Sequence, residues 1–353
     1  MSSRSDPPDR VGTRDLAPSE YEQWAELVSE SADGSVYALP NYLAALCRAT
    51  DATFRVVGAF LDGRLVGGIA LYERQSRWGP YVANRSLLYY NGVVLRLPER
   101  KFPSDATAQE LKVQNALALE LERSGYAHIH LHHRSTAQDL RPFLARRWQA
   151  QPSYTYVVPL TDPDTHWCSV DPNLRRLVTR CERDGVSYRE DDDFDVLFRL
   201  HDATRQRKGA PQYLPRERFA HYFSDLAEQG LARLAHAVFE GKVIASQLML
   251  TGPHPVAHTV CAGADEAYLR MGASAFLRWH ACLALAASGY RANDLTDAAL
   301  NPVSRFKSQL GAKLTATWSV SRTSSLRWRA ASALNDWRAK RARSTLPEAV
   351  ETG

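Results

Sequence analysis

No two of the five cysteines, at positions 47, 168, 181, 261 and 282, stand at C-x-x-C spacing, and their number is odd. This argues against a disulfide framework and against a structural zinc site, and it fits a reducing compartment. Also missing is any uncharged apolar run of the roughly 18 residues that a membrane-spanning helix needs. Residues 1–18 are rich in Ser, Pro, Asp and Arg and have no apolar core of the signal-peptide kind, so they read as a disordered leader to a cytoplasmic protein. No Gly-x-Ser-x-Gly elbow and no P-loop is found, which leaves hydrolase and nucleotide-triphosphatase readings without support. Neither sign of charge dominates: the formal net charge is +5, which permits a polyanionic partner without requiring one.

What is present is an ordinary globular composition, 44% hydrophobic and 24% charged over 353 residues. At about 150 residues per domain that length predicts two domains. Two segments are alike: FRVVGAFLDGRLVGGIALY at 54–72 and ARLAHAVFEGKVIASQLML at 232–250, each with an acidic-Gly-basic turn between β-rich arms. A helical pattern follows each, at 108–124 and 273–288, and then a strand, at 127–132 and 292–295. Each half therefore runs helix, hairpin, strand, helix, strand, an α+β order that duplication explains, with the boundary near 152–172. The expected division is a leader at 1–18, domains at 19–155 and 156–320, and a basic helical tail at 321–353.

Several segments carry candidate chemistry. Residues 173–183 form an amphipathic helix, started by Asp171-Pro172 and stopped by Gly185, with Leu174, Leu177, Val178 and Cys181 on one face. Arg175, Arg176, Arg180 and Arg183 share the other face, either as a phosphate clamp or as a solvated surface. Arg205, Arg207 and Lys208 gather in a loop with Gly209 and Pro211 that suits a groove between domains, or simply an exposed basic loop. Beyond the strand at 292–295, Asp294 and Asp297 are candidate proton acceptors or turn caps. Phe306-Lys307 puts an aromatic ring beside a cation, where Phe306 can stack on a base or fill the core and Lys307 can stabilise an oxyanion. His128, His130 and His132 alternate onto one strand face; with no accompanying Cys or carboxylate cluster they read as a polar sheet face rather than a metal site. The tail pairs Trp328, Ala331, Leu334 and Trp337 at helical spacing with six basic residues, which suits docking on the protein, an anionic membrane surface or RNA.

The order of these elements, with NLRRLVTRCERDGVSYRE at 173–190, LHDATRQRKGAP at 200–211, the long apolar helix and FKSQLG at 306–311, resembles the Fem-type peptidoglycan aminoacyltransferases and their wider relatives over residues 38–317. That resemblance implies two tandem GNAT-like (N-acetyltransferase) domains, each a mixed central sheet flanked by helices, followed by the helical tail. It implies amide-bond formation, with an aminoacyl group taken from charged tRNA and passed to an amine of a cell-envelope precursor or a small peptide or natural product. By the same resemblance Lys307 and Asp294 are the catalytic pair, and Phe306, Arg175, Arg176, Arg180, Arg205, Arg207, Lys208 and Gly272 bind the donor. No metal and no cofactor other than the donor is expected.

Acetyl-CoA users of the superfamily hold pyrophosphate at the start of the helix containing Gly272, but here Leu269 stands three residues before that glycine and Arg270 is displaced by one. Small residues at that helix start would also serve close packing on a sheet. An acyl-CoA-dependent N-acyltransferase and a non-catalytic envelope-associated binding protein are the alternative expectations.

Overall fold

The computed structural model describes residues 11–298 and 302–331. Both acidic-Gly turns have the backbone that a tight, right-twisted hairpin demands: φ is 49° at Asp62 and 81° at Gly63, and 49° at Glu240 and 76° at Gly241. Around them the two halves repeat one order. The first half comprises β1 (Val11–Asp15), α1 (Tyr21–Glu30), α2 (Pro40–Thr50), β2 (Thr53–Leu61), β3 (Arg64–Ser76), β4 (Gly79–Val82), β5 (Val94–Leu95), α3 (Pro103–Arg123), β6 (His128–His133), α4 (Arg141–Leu144) and β7 (Gln149–Pro159). The second comprises α5 (Pro163–Ser169), α6 (Pro172–Arg183), β8 (Ser187–Glu190), α7 (Phe194–Arg207), α8 (Arg216–Ala227), β9 (Ala232–Phe239), β10 (Lys242–Leu250), β11 (Val256–Ala264), α9 (Ala273–Ala287), β12 (Ala292–Asp294), α10 (Pro302–Gln309) and β13 (Lys313–Thr323). Residues 11–15, expected in a disordered leader, instead form β1, because their backbone pairs with the β2 edge from Val11 opposite Leu61 to Asp15 opposite Val57.

The strands make one sheet in the order β1-β2-β3-β4-β6-β13-β7-β12-β11-β10-β9-β8, with β5 beside β3. The two parallel pairings, β4 with β6 and β11 with β12, occupy matching places in the two halves. The terminal strands are exchanged. β7 leaves the first half to pair with β12, and β13 leaves the second half to pair with β6. The two pair with each other from Lys313 opposite Val157 to Ser321 opposite Gln149, so the seam is continuous backbone hydrogen bonding. The boundary expected at 155/156 falls inside β7.

Three apolar clusters hold the layers. One under α3 contains Val113, Leu117, Ile129, Leu131 and Val320; one under α6 and α9 contains Leu174, Val178, Phe276 and Leu285. On the opposite face a third cluster is shared by both halves, joining Trp24 and Leu43 to Phe219, Tyr222 and Leu226. There the Tyr42 and Tyr222 hydroxyls are 2.8 Å apart, a buried polar contact between α2 and α8. α7 lies close on β11 because Gly263 has no side chain: a Cβ there would come within 2.2 Å of the Leu200 carbonyl carbon.

The three histidines of β6 share the polar face as expected, with Ile129 and Leu131 buried behind them. The start of the tail docks: Trp328 stacks on His128 at 5.1 Å and packs against Trp78 and Tyr81. Leu334 and Trp337 lie outside the described residues. Among the described residues no helix is long and apolar enough to cross a membrane.

Candidate active site

At the seam, β12 ends on Asp294, whose carboxylate is 2% exposed. A buried carboxylate needs donors, and three converge here. The Tyr90 hydroxyl donates to Oδ2 at 2.7 Å, the Thr155 hydroxyl to Oδ1 at 2.5 Å, and the Thr296 N–H to Oδ1 at 2.8 Å. Tyr90 comes from the first half and Thr155 from the exchanged strand β7, so this carboxylate is satisfied only where the halves meet. His258, opposite Asp294 on β11, has Nδ1 3.9 Å from Oδ2. Burial pushes that imidazole down to about 3, although the carboxylate pulls the other way, so it stands neutral. Burial, reinforced by the Asp294 charge, raises the Tyr90 phenol well above its ordinary range. Tyr90 therefore remains a phenol, able to pass a proton inward rather than hold a negative charge.

Beyond Asp294 the chain turns sharply, with Thr296 and Asp297 both left-handed at φ 49° and 55°. Such backbone costs about 1–3 kcal/mol per residue unless its surroundings hold it. Lys307, on α10, supplies the tie: its ammonium donates to the Thr296 carbonyl and, at 2.6 Å, to the Asp297 carbonyl. An ammonium has three donors, and these two are the ones taken among the described residues. Burial first, and then the nearby Arg278 charge, lowers the Lys307 pKa to about 8.

A cavity of about 400 Å³ opens over this turn, lined by Tyr89, Tyr90, His132, Arg205, Tyr213 and Asp297 among others. Its walls come from both halves. Arg205 sits over the Tyr213 ring at 4.8 Å and donates to the Pro211 carbonyl. Arg205, Lys208, Arg278 and Lys307 feel one another's charge: burial and then Arg205 lower the Lys208 pKa, as burial and Arg278 lower that of Lys307. The Arg278 Nη1 is buried and has no hydrogen-bond partner among the described residues. Of these Arg205 lines the cavity, as does Arg85, and the positive charge gathered near them makes the cavity attractive to an anion.

The structure thus gathers Asp294, Lys307, Arg205 and Lys208 around one seam. Arg205 and Arg207 lie in the last turn of α7 rather than in the expected loop, a favourable place for cations on the helix dipole. Arg207 turns toward β11, donating to the Ala264 carbonyl. The arginines of α6 do not form one clamp. Arg176 is exposed and bonds Asn173, while Arg180 holds the Arg270 and Met271 carbonyls. Arg175 has its Nε buried without a partner. Phe306 is half-buried against the α6/α9 cluster. Gly272, at φ 104°, lies against the helix α6 rather than against a sheet, and a Cβ there would meet Leu177 Cβ at 2.7 Å.

Tyr90, Thr155, His258, Tyr213 and Arg278 escaped the sequence reading. Arg278 left a signal, a lone cation inside the apolar helix Ala273–Ala287. Tyr90 left none, since it sits in a stretch without periodicity. A larger groove of about 1160 Å³ lies at the other end of the central strands but holds no buried carboxylate–hydroxyl pair.

Residues 169–308 match the family model described as an acetyltransferase (GNAT) domain. The matched span lies in the second half, from the end of α5 into α10. The tandem arrangement extends the likeness to the whole chain, which is similar in fold to the crystal structure of FemX, with a TM-score of 0.69 at 12% identity, covering 87% of this chain and 96% of that one. It is also similar to L-PGS from Bacillus licheniformis, with a TM-score of 0.55 at 13% identity over 90% and 95% of the two chains. A tandem GNAT protein from the clavulanic acid biosynthesis pathway gives 0.52 at 14% identity over 89% and 98%. No curated protein matches the sequence. The GNAT domain supplies β12, Asp294 and Lys307, while Tyr90 comes from the preceding half.

Proposed function

We propose that the seam cavity forms amide bonds, moving an aminoacyl group from charged tRNA onto an amine of a cell-envelope precursor or a small peptide-like acceptor. The observation that carries the chemistry is the Tyr90–Asp294 hydrogen bond at the cavity wall. The acceptor nitrogen attacks the ester carbonyl carbon, and Lys307 donates its third N–H to the oxyanion that forms. As the N–C bond closes, the nitrogen's proton passes to the Tyr90 oxygen while the Tyr90 proton passes to Asp294. Collapse breaks the C–O bond, and the relay runs backward to protonate the departing ribose oxygen. Ester and amine become amide and alcohol, with no proton gained or lost.

The choice of donor is supported by the start of α9. The turn that would cradle pyrophosphate in a CoA user is packed against Leu177 of α6. Arg85 and Arg205 on the cavity lining, with Lys208, Arg278 and Lys307 close enough to feel one another's charge, suit the phosphates of an RNA 3′ end instead. The test is to titrate the protein with a mixed aminoacyl-tRNA pool, alongside Lys307→Ala and alongside CoA. Saturable binding, tighter for charged than for uncharged tRNA and weakened by the substitution, is expected. CoA binding without charged-tRNA binding would overturn the donor assignment.

A further inference from the structure

The groove of about 1160 Å³ takes no part in the chemistry above, yet its lining is chemically one-sided. Arg146 and Arg147 reach it from the turn after α4, Arg322 from the end of β13, and Arg329 from the helical segment 326–331. Against these four cations stands one carboxylate, Glu122, so the charge of the lining is 4 − 1 = +3. Glu122 is fully engaged: it accepts from Arg146 at 3.2 Å, Arg322 at 2.7 Å and the Trp148 indole at 3.0 Å. Arg147 is exposed and stands at φ 61°, and its side chain has no hydrogen-bond or ion-pair partner among the described residues. Arg329 bonds only the Thr323 carbonyl through its guanidinium, at 2.6 Å.

The groove lies farther along the same strands as the seam cavity. Ser321 lines the groove and Ser319 the cavity, two residues apart on one face of β13 and so about 7 Å apart along the strand. On the neighbouring strand Gln149 and Ser153 do the same. His130 lies opposite Ser321 and His132 opposite Ser319, so the floor between the two sites is hydroxyl, amide and imidazole. A ligand anchored at the relay can follow this uncharged floor toward the strand ends, where Arg147 and Arg329 are exposed, while Arg146 and Arg322 stand on the α3 face with Glu122.

We propose that the four-arginine groove is the backbone track for the RNA donor, binding the phosphates upstream of the 3′ end whose ester lies in the seam cavity. This rests on the donor reading given above. The cations come from three separate segments around an open groove rather than converging on one point, which fits successive phosphates better than a single phosphate group. Guanidinium forks on a hydroxyl- and amide-lined path also suit a phosphodiester chain with ribose hydroxyls between its charges.

The experiment compares wild type with the double variant Arg147→Asn/Arg329→Gln. Asn tolerates the left-handed backbone at 147, and neither change touches Glu122. Binding of charged tRNA is measured between 50 and 200 mM salt. The expected result is affinity weakened about tenfold and a log–log salt slope reduced by about two, one for each phosphate contact removed. Turnover of an aminoacylated adenosine, which carries no phosphodiester for the groove to hold, is expected to stay at the wild-type rate. Unchanged affinity and slope in the variant, with wild type binding charged tRNA, would overturn the groove assignment alone. Failure of wild type itself to bind charged tRNA would overturn the donor reading and the groove with it.

Discussion

Tyr90→Phe removes one oxygen atom and tests the relay. In the folded protein that hydroxyl is one of three donors to a carboxylate that is 2% exposed. A hydrogen bond to a charged group is worth about 1.5–3 kcal/mol, and two donors remain, so a loss of about 2 kcal/mol in stability follows. The catalytic loss is larger, because the acceptor's proton then has no path to Asp294. A positioned acid–base group contributes about 10²–10⁴ in rate. The assay is single-turnover loss of charged tRNA at saturating amine, with thermal unfolding of the same samples. The expected outcome is a rate lowered at least about a hundredfold, with charged-tRNA affinity within about threefold of wild type. A Tyr90→Phe rate within threefold of wild type, with Asp294→Asn inactive, would refute the relay and leave Asp294 as a direct base. An unchanged melting temperature would show that the hydrogen bond does not stabilise the fold.

In the proposed reaction Lys307 works as a cation, and burial lowers its pKa to about 8. Its charge is present below that value and lost as pH rises through it, so turnover should fall about tenfold per pH unit above pH 8. Lys307→Arg, permanently charged, should remove that alkaline limb; a limb that stays in place would mean another group titrates. Gly272→Ala combines φ 104° with a Cβ 2.7 Å from that of Leu177, and overpacking of this kind costs about 1–3 kcal/mol beyond the backbone strain. Gly241→Ala, at φ 76° with nothing within 4 Å, carries the strain alone and should cost only about 1 kcal/mol, so equal melting shifts would refute the packing account. Asp225→Asn breaks the Arg48 ion pair between α2 and α8, but the partners are 61% and 33% exposed, so denaturant unfolding should show a loss under about 1 kcal/mol.

Elements whose cause is local are legible in the chain itself. The hairpin turns follow from Asp62-Gly63 and Glu240-Gly241, and α6 from Asp171, whose carboxylate caps Asn173 N–H at 2.8 Å. The periodicity of residues 273–287 gives α9, and alternation gives the polar face of β6. The misreadings share a cause as well. Arg180 resembles part of a clamp because periodicity reports which face a side chain occupies and not what covers that face. Residues 11–15 read as disordered because an edge strand is stabilised by a partner backbone some 45 residues away in sequence.

By itself, then, the sequence determined the duplicated α+β order, the two hairpins, the amphipathic helices and the pairing of Phe306 with Lys307, all set by interactions within a few residues. Only the tertiary structure decided the exchange of β7 and β13, and with it everything that depends on the seam. Asp294 meets Tyr90 across 204 positions of chain, and Thr155 across 139. Neither contact leaves a local pattern, because a buried carboxylate takes its donors from whichever strands the sheet brings beside it, and here those strands come from both halves.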